Sequence, residues 1–158
     1  ALTHGHPEGW LSAGWLAALL RELVAGAAMA DAFAAAQSVL ERRKRDSLVG
    51  ACVTAARDLV GKGDHEATVR SLGQGWVGEE ALAIGLYAAL AADSFEEALI
   101  IAANHDGDSD SSASIAGQIW GAAHGPAELP SGWIECLDVL DPLLRLFAAL
   151  PAAGETTA

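Results

Sequence analysis

The sequence predicts an all-α protein, and three observations carry that expectation. Hydrophobic residues make up 52% of the 158. They are mainly alanine and leucine rather than β-branched or aromatic residues, a mix that lowers the cost of helix formation. Apolar side chains recur at three- and four-residue steps along much of the chain, the spacing of a helix face, and no stretch shows the two-residue alternation of a strand.

The first helix is expected from Glu8 to Val24, where Leu11, Trp15, Leu19, Leu20 and Leu23 fall on one face and Pro7 suits the first turn. A second runs from about Ala30 to Arg43 and a third from about Ser47 to Val60. The basic run Arg42-Arg43-Lys44-Arg45 lies at their junction, where cations meet the negative end of a helix dipole. After Gly61-Lys62-Gly63-Asp64, a short helix from His65 to Leu72 leads into the loop Gly73-Gln74-Gly75-Trp76-Val77-Gly78. Helical periodicity returns from Glu79 to Ala91, and Asp93-Ser94 can cap a further helix to about Asn104. The polar stretch 106–112 reads as a turn, followed by a helix from Ser114 to His124 that Gly125-Pro126 ends. Pro130-Ser131 opens a final pair of helices with a break before Pro142. One domain over residues 1–150 with a polar, flexible tail over 151–158 is the expected organisation.

Composition narrows the function. Twenty-one acidic against nine basic residues give a net charge of -12, which disfavours nucleic acid and anionic membrane as partners. A polyanionic ligand would need local compensation, such as bound cations. No apolar run reaches the roughly 20 residues that span a bilayer, and no basic-then-apolar leader opens the chain, so a cytoplasmic location is the default expectation. Cys52 and Cys136 lie in helical-looking segments without CxxC spacing and read as buried thiols rather than as a disulfide or zinc ligands.

The most informative segment is Asp106-Gly107-Asp108-Ser109-Asp110-Ser111-Ser112. Three carboxylates on alternate residues repel one another. Water and helix-terminal N–H groups relieve that repulsion in a solvated capping turn, and a hard divalent cation relieves it with oxygen ligands from Asp and Ser. A calcium loop fits poorly, because Ser111 stands where the turn glycine belongs and Gly117 where the bidentate glutamate belongs. The glycines around Trp76 match no P-loop, while Glu79 and Glu80 suit a helix amino terminus, with a pocket role as their second reading. His4 and His6 are two residues apart, so on a helix their side chains point about 200° apart and cannot grip one metal as an i, i+4 pair does.

Gly107-Asp108-Ser109-Asp110-Ser111, followed by Ile115-Ala116-Gly117 and Trp120-Gly121, resembles the carboxy-terminal metal motif of the ADP-ribosylglycohydrolase family. One position departs from that motif, Asp106 standing where the family has its first glycine. Two more segments agree in the same order along the chain. Thr3-His4-Gly5-His6-Pro7 resembles the family's Thr-His-x-His-Pro signature, and Gly75-Trp76-Val77-Gly78-Glu79-Glu80 its glycine-aromatic-Val-x-Glu loop. The closing Leu129-Pro130, Trp133, Leu137 and Leu144 resemble the family's final helices.

The resemblance implies a compact multi-helix orthogonal bundle, the carboxy-terminal half of an ADP-ribosylglycohydrolase-like fold. It implies Asp108, Asp110 and Ser111 as ligands of two Mg or Mn ions, with Asp106 outside the coordinating set. It implies His4 near the ribose, with His6 structural, and Gly75, Trp76 and Glu79 at the ligand pocket. The implied reaction is hydrolysis of the glycosidic bond between ADP-ribose and a modified protein side chain, arginine favoured, or a related small molecule. The family's Thr-Asp-Asp cluster and Gly-Asn-Gly segment have no counterpart here, so a complementary amino-terminal half is expected as a partner and the chain alone is expected to be inactive. The competing expectations are a non-catalytic ADP-ribose-binding or structural protein on the same scaffold, and a simple cation-binding helical domain.

Overall fold

The computed structural model describes residues 5–43 and 47–149, and every regular element among them is helical. Thr3, His4, Lys44, Arg45 and the tail expected over 151–158 lie outside the described residues. The elements are α1 (Pro7–Val24), α2 (Met29–Arg43), α3 (Leu48–Asp58), α4 (His65–Leu72), α5 (Gly78–Ala91), α6 (Phe95–Ala103), α7 (Ser109–His124), a 3-10 turn (Pro126–Glu128), α8 (Ser131–Glu135) and α9 (Leu140–Ala149).

Helix α5 is the centre of the first unit, which ends at Glu128. Every residue from Ala81 to Ala89 is buried, which is why this stretch is hydrophobic all round rather than on one face. Around it lie α1, α3, α4, α6 and α7, while α2 packs on α1. From α1, Leu11, Trp15, Leu19 and Leu23 enter the core one turn apart. The Trp15 indole N–H donates to Gln37 Oε1 at 2.9 Å, and the Gln37 amide donates to Thr54 Oγ1 at 3.3 Å. One polar chain thus joins α1, α2 and α3 through their core and satisfies groups whose burial alone would be costly. Tyr87, fully buried on α5, meets His65 Nδ1 through its hydroxyl at 2.8 Å.

Side chains that compete with the backbone for hydrogen bonds fix the helix starts. Ser47, Asp64, Ser94 and Asp108 each accept a backbone N–H from the first turn of α3, α4, α6 and α7, as amino-terminal caps do. His6 does the same for α1, its Nδ1 accepting from Glu8 N–H at 3.4 Å. Glu97 reaches back past the Ser94 cap, accepting from Asp93 N–H at 2.7 Å while its own N–H donates to Ser94 Oγ at 3.1 Å.

Two expectations need correction, and a third is refined. Helix α7 begins at Ser109, not Ser114, because the Asp108 cap makes the polar Ser-Asp-Ser run its first turn; these residues lack apolar periodicity, but caps and first turns favour them. The expected break before Pro142 is present at 136–139, between α8 and α9; Pro142 itself is the third residue of α9, where the N–H that proline lacks has no intrahelical acceptor to lose. Cys136 is exposed and Cys52 only half-buried, both as free thiols.

The second unit, from Leu129 onward, holds α8 and α9. Neither helix contains a buried residue, and Leu143, Leu144, Leu146 and Phe147 of α9 are exposed. No helix among the described residues is long and apolar enough to cross a membrane.

Candidate functional site

The site forms where the amino ends of α1, α5 and α7 meet the loop 73–77. Gly78, the first residue of α5, lies against α1, and a Cβ there would stand 3.2 Å from Ser12 Oγ and 3.6 Å from Gly9 Cα. Small residues on both helices therefore let the two amino ends approach closely. A cavity of about 330 Å³ opens beside this contact, lined by Gly9, Ser12, Ala13 and Leu16 of α1, by Gly75, Trp76, Val77, Gly78, Ala81 and Leu82, and by Asp108, Ser111 and Ile115. A second hollow, of about 710 Å³, adjoins it along Trp76, Val77 and Gly78 and takes in His6 and Glu79.

The loop and the α7 turn are built against each other. Gln74 carbonyl oxygen accepts the Asp108 N–H at 2.8 Å. Gly107 makes that approach possible, since a Cβ there would lie 1.8 Å from the same carbonyl oxygen. Gly75 takes φ +78°, a left-handed conformation that favours glycine, and even an added Cβ would stand only 3.0 Å from Ser112 Oγ. Upstream, His105 Nδ1 accepts the Gly107 N–H at 3.1 Å, so the neutral ring carries its proton on Nε2.

Asp108 is both cap and cavity wall. Its carboxylate accepts the Ser111 N–H at 3.4 Å, and its carbonyl accepts the fully buried Ser112 hydroxyl at 2.9 Å. Hydrogen bonding with the Asp110 side chain, then with Ser111, holds the Asp108 carboxyl below its ordinary range. Carboxyl groups at Asp108 and Asp110 and the Ser111 hydroxyl, all at the positive end of a helix, are oxygen donors of the kind a hard divalent cation takes. The set is partial: among the described residues, no three His, Cys, Asp or Glu side chains converge as a metal site of their own.

Of the residues singled out in the sequence, Gly75, Trp76, Asp108 and Ser111 line one cavity, with Glu79 in the adjoining hollow. Asp110 is exposed and lines neither, meeting the group only through Asp108; Asp106 is exposed, and His4 lies outside the described residues. Trp76 is 67% exposed, a flat aromatic wall rather than core. One residue, Glu8, was missed, and another, Glu80, was read only as a helix-start acid or a pocket residue. Glu80, one Oε2, accepts from both the Gln74 and Gly75 N–H groups at 3.0 and 3.1 Å. Glu8, buried on α1, accepts from the Ser47 hydroxyl at 2.7 Å and the Val49 N–H at 3.2 Å. Their signal was a glutamate in the first turn of a helix, which is also the signal of a mere dipole partner.

The family model for ADP-ribosylglycohydrolase matches residues 1–156. Among curated relatives, the ADP-ribosylarginine hydrolase Tri1 of Serratia proteamaculans (strain 568) is 28% identical over 137 residues, which is 85% of this chain and 34% of the relative. The ADP-ribosyl-(dinitrogen reductase) glycohydrolase of Rhodospirillum rubrum is 40% identical over 47 residues, 30% of this chain and 16% of the relative. The chain thus spans about a third or less of the length of these relatives. No solved structure matches.

Proposed function

Because this chain belongs to the ADP-ribosylglycohydrolase family, we propose that it supplies the carboxy-terminal half of a hydrolase site that cleaves the glycosidic bond between ADP-ribose and an arginine side chain. The observation that carries the reading is the Asp108-Asp110-Ser111 oxygen cluster at the amino end of α7, with Asp108 and Ser111 opening on the same cavity as Trp76. Both relatives bear names of ADP-ribosyl hydrolases, and one name specifies arginine.

Asp108, Asp110 and Ser111 would hold Mg or Mn, two ions in all when the site is complete. Such ions supply fixed positive charge for ribose hydroxyls and a positioned water. This chain's residues then do the orienting. Trp76 offers an exposed ring for a base or sugar face, Gly75 lines the cavity beside it, and Glu79 edges the neighbouring hollow. Cleavage at the anomeric carbon passes through an oxocarbenium-like state, so a rigid hold on ribose in a partly enclosed cavity favours the reaction. The remaining ligands come, on this reading, from a complementary segment bearing a Thr-Asp-Asp cluster, with His4 near the ribose.

The test is to combine this chain with such a segment in Mg²⁺ or Mn²⁺ and assay release of ADP-ribose from ADP-ribosylated arginine. Turnover that needs both parts and is lost in Asp110→Asn is the expected result. Turnover by this chain alone overturns the half-site reading, and ADP-ribose binding without turnover in the combined protein overturns the catalytic one.

A further inference from the structure

We propose that Glu80 is a positioning residue that sets the cation-binding turn from across the cavity; this rests on the role proposed above for Asp108, Asp110 and Ser111. Glu80 is the third residue of α5, and Val77, the residue that caps that helix, offers no side-chain bond to it. Glu80 reaches back beyond Val77, where one carboxylate oxygen accepts both the Gln74 and the Gly75 N–H groups at 3.0 and 3.1 Å. Bonds from backbone N–H to a carboxylate are stronger than neutral ones.

What makes this more than a loop anchor is the other side of Gln74. Its carbonyl oxygen accepts the Asp108 N–H at 2.8 Å. Gln74 is therefore held by its N–H to α5 and by its C=O to the residue that caps α7. Both contacts depend on glycine. A Cβ at Gly73 would meet the Glu80 carboxyl carbon at 2.5 Å, and one at Gly107 would meet the Gln74 oxygen at 1.8 Å. Glu80 itself lines neither hollow of the site. Its effect on the carboxylate cluster passes through one peptide unit, so Asp108 and Trp76 are held in register by a side chain that touches no ligand.

Amide hydrogen exchange tests this on the chain as it stands. In Glu80→Ala, exchange at Asp108 is expected to accelerate at least about tenfold, together with Gln74 and Gly75, while the core amides of Tyr87 and Ile119 keep their protection. Glu80→Gln, which keeps an acceptor oxygen at the same reach, is expected to fall between the two. Should Glu80→Ala lose the core protection as well, the same ordering of amides in Glu80→Gln decides. A second readout is a Mn²⁺ titration followed by paramagnetic broadening at Asp110 and Ser111, where Glu80→Ala is expected to need severalfold more Mn²⁺ than wild type. Faster exchange at Gln74 and Gly75 with Asp108 unchanged means that Glu80 holds only its own loop, and overturns the proposal. No broadening in the wild-type chain overturns the cation reading instead, and Asp108 exchange still decides whether Glu80 sets the turn.

Discussion

At the amino end of α3 the buried carboxylate of Glu8 arrives from α1 and takes the Ser47 hydroxyl and the Val49 N–H. At the amino end of α7 the acids belong to the helix's own first turn: Asp108 caps it, and Asp110 is exposed. Both places satisfy the same need, since a helix start leaves N–H groups without partners and carries partial positive charge. The difference lies in where the carboxylates finish. Glu8 is 5% exposed and closed into a junction between two helices, whereas Asp108 lines a cavity and Asp110, two residues on, is exposed. Glu8 is taken up in the junction, whereas Asp108 caps its helix and still faces the cavity where the proposed cation would sit.

The sharpest way to break this contrast is at the seam between loop and turn. Gly107→Ala would place a methyl 1.8 Å from a backbone oxygen and 2.6 Å from the carbonyl carbon of Gln74. Neither atom can rotate away, so the seam must open and the Asp108 N–H loses its acceptor. A loss of about 3 kcal/mol is expected, read as a lower urea midpoint at unchanged slope, together with weaker Mn²⁺ binding. An unchanged midpoint would mean that the loop and turn are not seated on each other.

Glu8→Ala should separate stability from ligand binding. Removing the carboxylate takes the acceptor of the half-buried Ser47 hydroxyl and leaves the buried Val49 N–H with Ser47 Oγ alone, a cost of about 2 kcal/mol, while Mn²⁺ broadening at Asp110 and Ser111 keeps its wild-type midpoint. Asp110→Asn should do the reverse. Its side chain is exposed, so stability is expected to stay within about 0.5 kcal/mol of wild type while the Mn²⁺ midpoint rises at least about tenfold on losing a carboxylate ligand. If both substitutions move both readouts, the two helix starts are not different in kind.

The same contrast marks how far residues could be read without coordinates. Helix positions were legible because Leu11, Trp15, Leu19 and Leu23 keep the helical period and because Ser94 and the glycine-rich stretches punctuate it. The start of α7 was not, because Ser109 to Ser112 carry no apolar residue and only the Asp108 cap declares them helical. Residue type and spacing offered 106–112 as a capping turn or a cation site, and the structure places Asp108 as the cap of α7. The roles of Glu8 and Glu80 were not, because their partners lie in other segments: Glu8 bonds 39 and 41 residues away, and Glu80 turns back past its own cap. The exposure of Leu143, Leu144 and Phe147 on α9 was not legible either, because residue type alone does not tell whether an apolar side chain is buried.

The smallest effect concerns the field of the structural acids. Cys52 lies on α3, and burial first, then Glu79, Glu80 and Glu8, push its thiol above the ordinary value of 9.0. A raised pKa means less thiolate at a given pH, and the thiolate is the reactive form. Iodoacetamide at pH 8 is therefore expected to label exposed Cys136 well before Cys52, with mass spectrometry following each site. Glu8→Gln removes the weakest of the three carboxylate contributions and should quicken Cys52 measurably while leaving it slower than Cys136, because burial outweighs each charge. Asp110→Asn, at the other helix start, should leave the Cys52 rate unchanged. A response of Cys52 to Asp110→Asn equal to its response to Glu8→Gln would show that the two acid clusters share one field, and would remove the electrostatic basis for treating the α3 junction and the α7 turn as separate.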